Sequence, residues 1–431
     1  MLVSRKISRP RIYETLLFIA LLSGPPALRV RDPSASLLGN ADWSVLLNAA
    51  VWGLGAFWVF LHLGGYVLKR RSVPRFEPLH ILAFLLIACL YLSTLRSLVP
   101  ILTFYRVTQI PIAVLFGFFW IRRFGIDSTL KHLLAGYLTL SVAIAVAAFV
   151  APDLVYATIG EAKPRLRGDS IADSGAVAAM GIVLLLSYPA AIRSRAILLG
   201  MLALVVTLLA LAQTRVDFAI VLLFLLLALA RLPRSTPLRS LLYFLLALIP
   251  VAVMLNLTPI VESYLVREES SVSTLSDRLP LWQYVVSDIL ERNPWTGVGL
   301  YANRVITSAF NPGLGTSHSA YIEIFSGGGI ISFVVFSVML LVELFLAIKL
   351  LLLYGGTPGV FAATNLFIAT ILIGTTSEQM VISSPTSFTF WIMLSLLPAI
   401  GRTVYTHAQR GEIGTARNDL HSSRVLPATR R

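Results

Sequence analysis

Long apolar runs that contain almost no charged residues constrain the fold of this 431-residue chain more than any other feature. The runs are about 17–25 residues long, which is the length that an α-helix needs to cross a bilayer. Hydrophobic residues make up 57% of the chain and charged residues only 13%, a composition that excludes a soluble domain of this size. The runs lack the period-2 alternation of barrel strands, so the sequence predicts an all-α, polytopic bundle of membrane helices.

The apolar runs predict about twelve transmembrane helices. The predicted spans lie near 12–28, 43–68, 79–96, 99–121, 131–151, 172–191, 195–213, 216–232, 239–256, 319–350, 358–375 and 386–401.

Lys and Arg residues concentrate in alternate connections, among them the N-terminus, 69–75, 122–131 and the tail from Arg402. Because cytoplasmic loops are enriched in these residues, the pattern predicts a multi-pass protein with both termini in the cytoplasm. The formal net charge is +14, and anionic lipid headgroups account for it. Membrane lipids are therefore the predicted partners of the basic residues, and no nucleic acid is expected.

Two connections on the opposite, external side are long, namely 151–170 and 258–317. A long loop in an otherwise economical bundle is usually functional. The sequence therefore predicts that the catalytic elements lie in the second loop and that a basic, disordered tail ends the chain. The predicted units are an N-terminal bundle (1–257), the long loop (258–318), the C-terminal helices (319–401) and the cytoplasmic tail (402–431).

The long loop contains two recognisable patterns. Residues 277–291 predict a short amphipathic helix on the membrane surface, with Leu279, Trp282, Val286 and Ile289 at near-helical spacing. The following stretch, Asn293-Pro294-Trp295-Thr296-Gly297-Val298-Gly299, has two glycines that permit a close backbone approach to a ligand or to a neighbouring helix.

His318 is, on this topology, the one histidine of six that faces away from the cytoplasm. A neutral imidazole close to several arginines is suited to act as the base in a metal-free transfer from a lipid diphosphate to a hydroxyl. The structural alternative is a polar residue at the membrane interface.

Metal, nucleotide and redox chemistry find no support in the sequence. The other five histidines show no ligand spacing with one another, and the single cysteine, Cys89, lies inside an apolar run. The chain also lacks a phosphate-binding loop and a dinucleotide fingerprint. We therefore expect no metal site and no cofactor.

Several motifs follow one another across roughly 278–333, and two similar pieces precede them. The later motifs are Arg278-x3-Trp282, Asn293-Pro294-x2-Gly297-Val298-Gly299, and His318-Ser319-x-Tyr321-Ile322-Glu323 ahead of Gly327-Gly328-Gly329; the earlier ones are Arg165-Leu166-Arg167-Gly168 and Gln213-Thr214-Arg215. In order and setting they resemble the O-antigen ligase and polysaccharide polymerase family. His318, Ser319 and Gly329 fit the ligase signature of that family, whereas Ser332 departs from its last position, so ligase and polymerase both stay open.

The resemblance implies a glycosyltransferase that works without metal or cofactor at the periplasmic face of the bacterial inner membrane. The implied donor is a glycan linked to undecaprenyl diphosphate, and the implied acceptor is lipid A-core or a growing glycan. His318 would accept the proton of the acceptor hydroxyl, while Arg215 and Arg278 would neutralise the leaving diphosphate. The further candidates for binding the diphosphate or the glycan are Arg106, Arg165, Arg167, Tyr321, Glu323, Gly297 and Gly299.

Alternatives remain for the function and for the arginines. A protein O-oligosaccharyltransferase would differ only in its acceptor, and a lipid or solute transporter is the alternative of another class, although no internal repeat supports it. The arginines near the interface can also extend to lipid headgroups. Arg278 can pair with Asp277, and Arg106 can pair with Glu343 or Glu378.

Overall fold

The computed structural model of the protein describes residues 9–24, 43–70, 76–157, 165–167, 171–192, 194–231, 278–310, 317–376, 380–381 and 384–409. α-Helices dominate these residues, and a two-stranded antiparallel ribbon, β1 (Tyr156–Ala157) and β2 (Arg165–Leu166), joins two of them. The helices are α1 (Ile12–Ser23), α2 (Trp43–Arg70), α3 (Pro78–Thr94), α4 (Pro100–Val150), α5 (Ser174–Ser187), α6 (Arg195–Ala212), α7 (Arg215–Arg231), α8 (Arg278–Arg292), α9 (Arg304–Phe310), α10 (Ala320–Tyr354), α11 (Pro358–Thr376) and α12 (Pro385–Gln409).

The helices confirm the predicted class of a helical membrane protein. Within the described ranges, six are long and apolar enough to cross a membrane: Val45–Leu68, Pro100–Val150, Arg195–Ala212, Ala320–Tyr354, Pro358–Thr375 and Pro385–Gln409. The number of about twelve transmembrane helices and the division into four units stay predictions. The predicted span 239–256 lies outside the described residues.

Aromatic residues fill the centre of the bundle where α1, α4 and α12 meet. The ring of Phe18 in α1 lies 4.7 Å from that of Trp120 and 5.5 Å from that of Phe388, measured between centroids. Phe18, Trp120 and Phe388 are each no more than 1% exposed. Since lipid tails are as apolar as these side chains, close packing contributes more to the association of such helices than removal from water does.

α4 contains a connection that the sequence analysis placed between two spans. The predicted loop over 122–131 is largely helical, and only Gly125 leaves the helical conformation, with φ 82° and ψ 173°. An ion pair of 2.6 Å between Lys131 and Asp127, one turn apart, supports the helix on one side of this break. Glycine adopts the left-handed conformation without the steric penalty of a side chain, so Gly125 makes a tight reversal with no extended loop.

A second break, at Gly329 in α10, positions the residues of the candidate site. Gly329 has φ 66° and ψ −169°, and the segment 293–300 packs into the gap that it leaves. Hydrogen bonds run both ways: Ile330 N donates to Pro294 O at 2.8 Å, while Val298 N donates to Ser326 O at 2.9 Å. The protein thus satisfies the backbone groups that the broken helix releases, as an irregular segment at membrane depth requires.

Two helices, α8 and α12, differ in detail from their predictions. α8 confirms the short helix in the long loop, but its buried face is formed by Leu281, Val285 and Ile289, whereas Leu279 is 41% exposed. The predicted face was wrong at Leu279, because the Leu281 face packs against α9 and α10. α12 is longer than the predicted span 386–401 and continues to Gln409.

The bundle has two ends, which we name by one residue of each. At the His318 end, Leu98 N donates to Val298 O at 3.0 Å and Thr103 Oγ1 donates to Leu300 O at 3.1 Å, which joins the start of α4 to the loop before α9. At the Glu14 end, Glu14 pairs with Arg123, and Arg402 pairs with Glu77. The predicted topology places the His318 end outside the cytoplasm.

Candidate functional site

His318 lies immediately before α10 in a backbone conformation that few side chains adopt. Its φ is 51°, in the left-handed region, where a residue other than glycine is uncommon and costs roughly 1–3 kcal/mol. The segments on both sides of it are held in place: Trp282 Nε1 donates to Ser317 O at 2.7 Å, and Ser317 Oγ donates to Ser319 O at 3.1 Å. Strained residues that their surroundings hold in this way cluster at functional sites.

Glu323, in the first turn of α10, connects three segments of the site. It is 1% exposed, and its Oε1 accepts a hydrogen bond of 2.8 Å from Tyr301 N. Its Oε2 accepts one of 2.7 Å from Asn303 Nδ2 and a longer one of 3.5 Å from Ser317 Oγ. Hydrogen bonds to an ionised acceptor are about twice as strong as neutral ones. The carboxylate thus links the loop before α9 to the residue preceding His318.

Two arginines contact the ring of Tyr301. The guanidinium carbon of Arg304, at the start of α9, lies 3.5 Å from the ring centroid. That of Arg106, in α4, lies 4.6 Å from it. Arg106 therefore reaches the Glu323 network through an aromatic ring. Glu343, a candidate ion-pair partner of Arg106, makes no hydrogen bond or ion pair with any residue in the described ranges, and Glu378 lies outside them.

Arg278 reaches the same region through α8. Arg278 and Trp282 are one turn apart and share a face of the helix, and Trp282 contacts the residue that precedes His318. α8 itself packs against the first half of α10 through an apolar cluster that includes Ile322 and Phe325. The fold therefore brings Arg278, Arg106 and Glu323 to the His318 segment. Asp277, with which Arg278 can pair, lies outside the described residues.

Arg165, Arg167 and Arg215 belong to a second group around the start of α5. Arg167 N donates to Val155 O at 2.8 Å, and its carbonyl accepts a bond of 3.0 Å from Ser174 N, so the ribbon is tied to α5. A side chain at Gly175 would collide with Thr214 and Asp217, which shows that the start of α7 packs directly against α5. The backbone of Arg215 begins α7, and its side chain lies outside the described residues. α11 packs against α5, α7 and α10, and so connects the two groups.

Gly297, Gly299 and Tyr321 contact neighbouring helices. Gly297 has φ 67°, and a Cβ there would collide with the carbonyl of Ser326 in the break of α10. Gly299 has φ 98°, and a Cβ there would meet Ser97. Both glycines thus make the close approach to neighbouring segments that was one of the two roles expected for them, and their contact with a ligand stays a prediction. Tyr321 donates a long bond of 3.5 Å to Ile371 O and so joins α10 to α11.

Sequence reasoning missed Tyr301, Asn303 and Arg304. They lie in the stretch Tyr301-Ala302-Asn303-Arg304, which follows Gly299 and Leu300, and polar side chains between two glycines and a helix were the available signal. Nothing in the sequence related the run to Glu323 or to Arg106, because those contacts arise only when the segment 293–303 folds against α4 and α10.

The comparison with known families matches the same region. Residues 180–337 match the sequence model of a family described as O-antigen ligase. The match runs from within α5 to the first half of α10 and includes Arg215, Arg278, His318 and Glu323, whereas Arg106, Arg165 and Arg167 precede it. No curated protein matches the chain. The resemblance drawn from the motifs is confirmed, and together with the apolar helices it indicates a membrane protein that handles glycans.

Proposed function

Because the segment that carries His318 and Glu323 matches the O-antigen ligase family, we propose that the protein is an integral membrane glycosyltransferase of the O-antigen ligase type. It transfers a glycan from undecaprenyl diphosphate to lipid A-core at the periplasmic face of the bacterial inner membrane. Both termini then lie in the cytoplasm, and the His318 end of the bundle faces the periplasm.

The observation that carries this proposal is the strained backbone of His318 beside the Glu323 network. A histidine that is held in this way is preorganised to receive a proton. In the proposed step, the acceptor hydroxyl gives its proton to His318 as its oxygen forms a bond to C1 of the donor sugar. The bond between C1 and the diphosphate oxygen breaks, and the electron pair leaves with the diphosphate.

The arginines have the second task, which is to neutralise the leaving diphosphate. Forked guanidinium groups suit this task because each makes two parallel hydrogen bonds to phosphoryl oxygens. We assign it to Arg215 and Arg278, and we assign donor contacts to Arg106 and to Arg165 or Arg167. The carrier diphosphate is itself the activated leaving group, so the proposed reaction needs neither metal nor nucleotide.

Ser332 favours a second candidate function with the same chemistry, that of a polysaccharide polymerase. It is fully buried beside Gly328, at the position where the ligase signature has glycine, threonine or tyrosine. A polymerase would use the same His318 and arginines, with a growing glycan as its acceptor.

The glycolipids of a strain that lacks the gene distinguish these candidates. Accumulation of long, unligated chains on the carrier supports the ligase, and accumulation of single repeat units supports the polymerase. Complementation with wild type should restore the profile, complementation with His318→Ala should not, and His407→Ala, at the other end of the bundle, should restore it. An unchanged glycolipid profile in the deletion strain would contradict both candidates and favour the transporter.

A further inference from the structure

Tyr301 and Arg304 form a structural unit that none of the proposed catalytic roles uses. The guanidinium carbons of Arg304 and Arg106 lie 3.5 and 4.6 Å from one ring, so the two cations are no farther apart than the sum of these distances. Two positive charges this close repel each other, and the repulsion is strongest where water is scarce. An arrangement of this kind is stabilised when an anion binds between or beside the two groups.

The backbone of Tyr301 is strained in the same way as that of His318. Its φ is 71°, and the bond from its N–H to the buried Glu323 carboxylate fixes it in that conformation. Asn303, which is fully buried, binds the other carboxylate oxygen. These two bonds determine where Tyr301 and Arg304 lie relative to the start of α10, and hence relative to His318.

The guanidinium of Arg304 keeps its N–H groups for a further partner. Among the described residues this guanidinium makes no hydrogen bond and no ion pair, and it lies over the face of the Tyr301 ring. A guanidinium on an aromatic ring uses its π face there, whereas its five N–H donors lie in its own plane. Among the described residues, Glu323 forms no ion pair with Arg304; its oxygens accept bonds from Tyr301, Asn303 and Ser317 instead.

We propose that Arg304, stacked on Tyr301, is a further binding residue for the diphosphate group of the lipid-linked donor, next to Arg106. The inference rests on the proposed function and extends it by a residue outside the recognised motifs. Two guanidinium groups on one ring suit a ligand with two linked phosphoryl groups, since each fork can bind one of them. Tyr301 and Glu323 are the positioning residues of this pair.

The test uses the full-length protein in nanodiscs and measures its affinity for undecaprenyl diphosphate together with its rate of glycan transfer. Arg304→Ala should weaken the binding of undecaprenyl diphosphate about 10- to 100-fold, because it removes a charge-assisted, bidentate contact. Arg304→Lys should restore only part of the affinity, since an ammonium lacks the fork. Tyr301→Leu, which removes the ring, should weaken binding by about 2- to 5-fold.

Arg292→Ala is the matched control. It also removes one arginine from the same segment of the chain, but Arg292 is 62% exposed and pairs with Asp288 at 2.9 Å. Its affinity and its rate should equal those of wild type. Arg304→Gln, which keeps the length of the side chain without its charge, should behave like Arg304→Ala and excludes an effect of lost packing.

The outcomes separate this inference from the proposed function. Wild type that binds and transfers, with Arg304→Ala equal to Arg292→Ala, would overturn the inference and leave the function standing. If Arg304→Ala instead reduces binding to phosphatidylglycerol vesicles and leaves undecaprenyl diphosphate unaffected, Arg304 binds headgroups and the inference is wrong. Wild type that neither binds undecaprenyl diphosphate nor transfers a glycan would contradict the proposed function itself.

Discussion

The two ends of the bundle each bury a glutamate, and they use it differently. Glu14 and Glu323 are both 1% exposed. Glu14 pairs with Arg123 at 3.3 Å and accepts a bond from the backbone of its own helix start. Glu323 accepts bonds from the backbone of Tyr301 and the amide of Asn303, which belong to another segment. The first carboxylate neutralises a cation, and the second one holds a loop in place.

The backbone differs between the ends as well. Among the described residues, the non-glycine residues with positive φ are Gln213, Tyr301 and His318, and all three lie at or near the candidate site. The Glu14 end instead has regular helix starts, where Glu14 and Glu77 take part in capping boxes. The Glu14 end is thus built from regular helix ends, whereas the His318 end holds strained residues, which is where the proposed function places its site.

The largest expected effect concerns which side of the membrane each end faces. In a Cys89→Ala background, the cysteine of Glu291→Cys, in α8, should react with a membrane-impermeant maleimide added to spheroplasts. Lys131 is also exposed in the fold and lies at the Glu14 end, and the cysteine of Lys131→Cys should react only after lysis. The expectation follows from the distribution of basic residues. Labelling of Lys131→Cys in intact spheroplasts would show that the predicted orientation is inverted.

His318→Ala should produce the next largest effect. Turnover should fall roughly 10²–10⁴-fold, because the loss of a general base raises the energy of the transition state. The affinity for undecaprenyl diphosphate should change little, since the proposed step has the imidazole contact the acceptor hydroxyl and not the donor. Turnover and donor affinity are measured on the same purified sample. A folded, inserted and fully active variant would remove the central claim of the proposed function.

Glu323→Gln should lower turnover, whereas Glu14→Gln should lower stability. Glu323→Gln keeps one acceptor and loses the charge that strengthens both bonds, so we expect turnover to fall about 10- to 100-fold as the loop that carries Tyr301 loosens. Glu14→Gln should leave turnover within about twofold and should lower stability by about 1–2 kcal/mol, since Arg123 is partly exposed and screened.

Thermal unfolding and turnover of both glutamate variants provide the measurement. If Glu323→Gln lowered only the melting temperature and left turnover unchanged, Glu323 would have the same stabilising role as Glu14, and the proposed difference between the two ends would be wrong.

The last comparison is between two glycines, and its effect is on stability alone. Gly329→Ala places a Cβ against the backbone of Trp295 at a positive φ, so it should destabilise the protein by about 1–3 kcal/mol. Gly53→Ala is the control, because Gly53 lies in the interior of α2 with no atom near its missing Cβ. It should stabilise α2 by about 0.5–1 kcal/mol. Equal melting temperatures for the two variants would show that the break in α10 tolerates a side chain.

The sequence predicted much of the helical framework and the region of the site. The spans follow from apolar runs, and His318, Glu323 and Arg278 follow from motifs whose family match is confirmed. The segment 122–131 was expected to be a loop, because its basic residues resemble those of a connection. It is helical because a single glycine suffices for the reversal, and residue type alone does not show whether a turn is tight or extended.

The sequence by itself determined that the chain is helical and embedded in a membrane, since only helices satisfy the backbone of such long apolar runs. It also determined the chemical groups available at the site. Only the tertiary structure decided that Gly297 packs into the break of α10 and that Arg106 and Arg304 share the ring of Tyr301. These contacts join residues that are far apart in the chain, as Thr103 and Leu300 are, whose numbers differ by 197. Local patterns do not encode contacts at that separation, because the packing of helices and the pairing of buried polar groups select them.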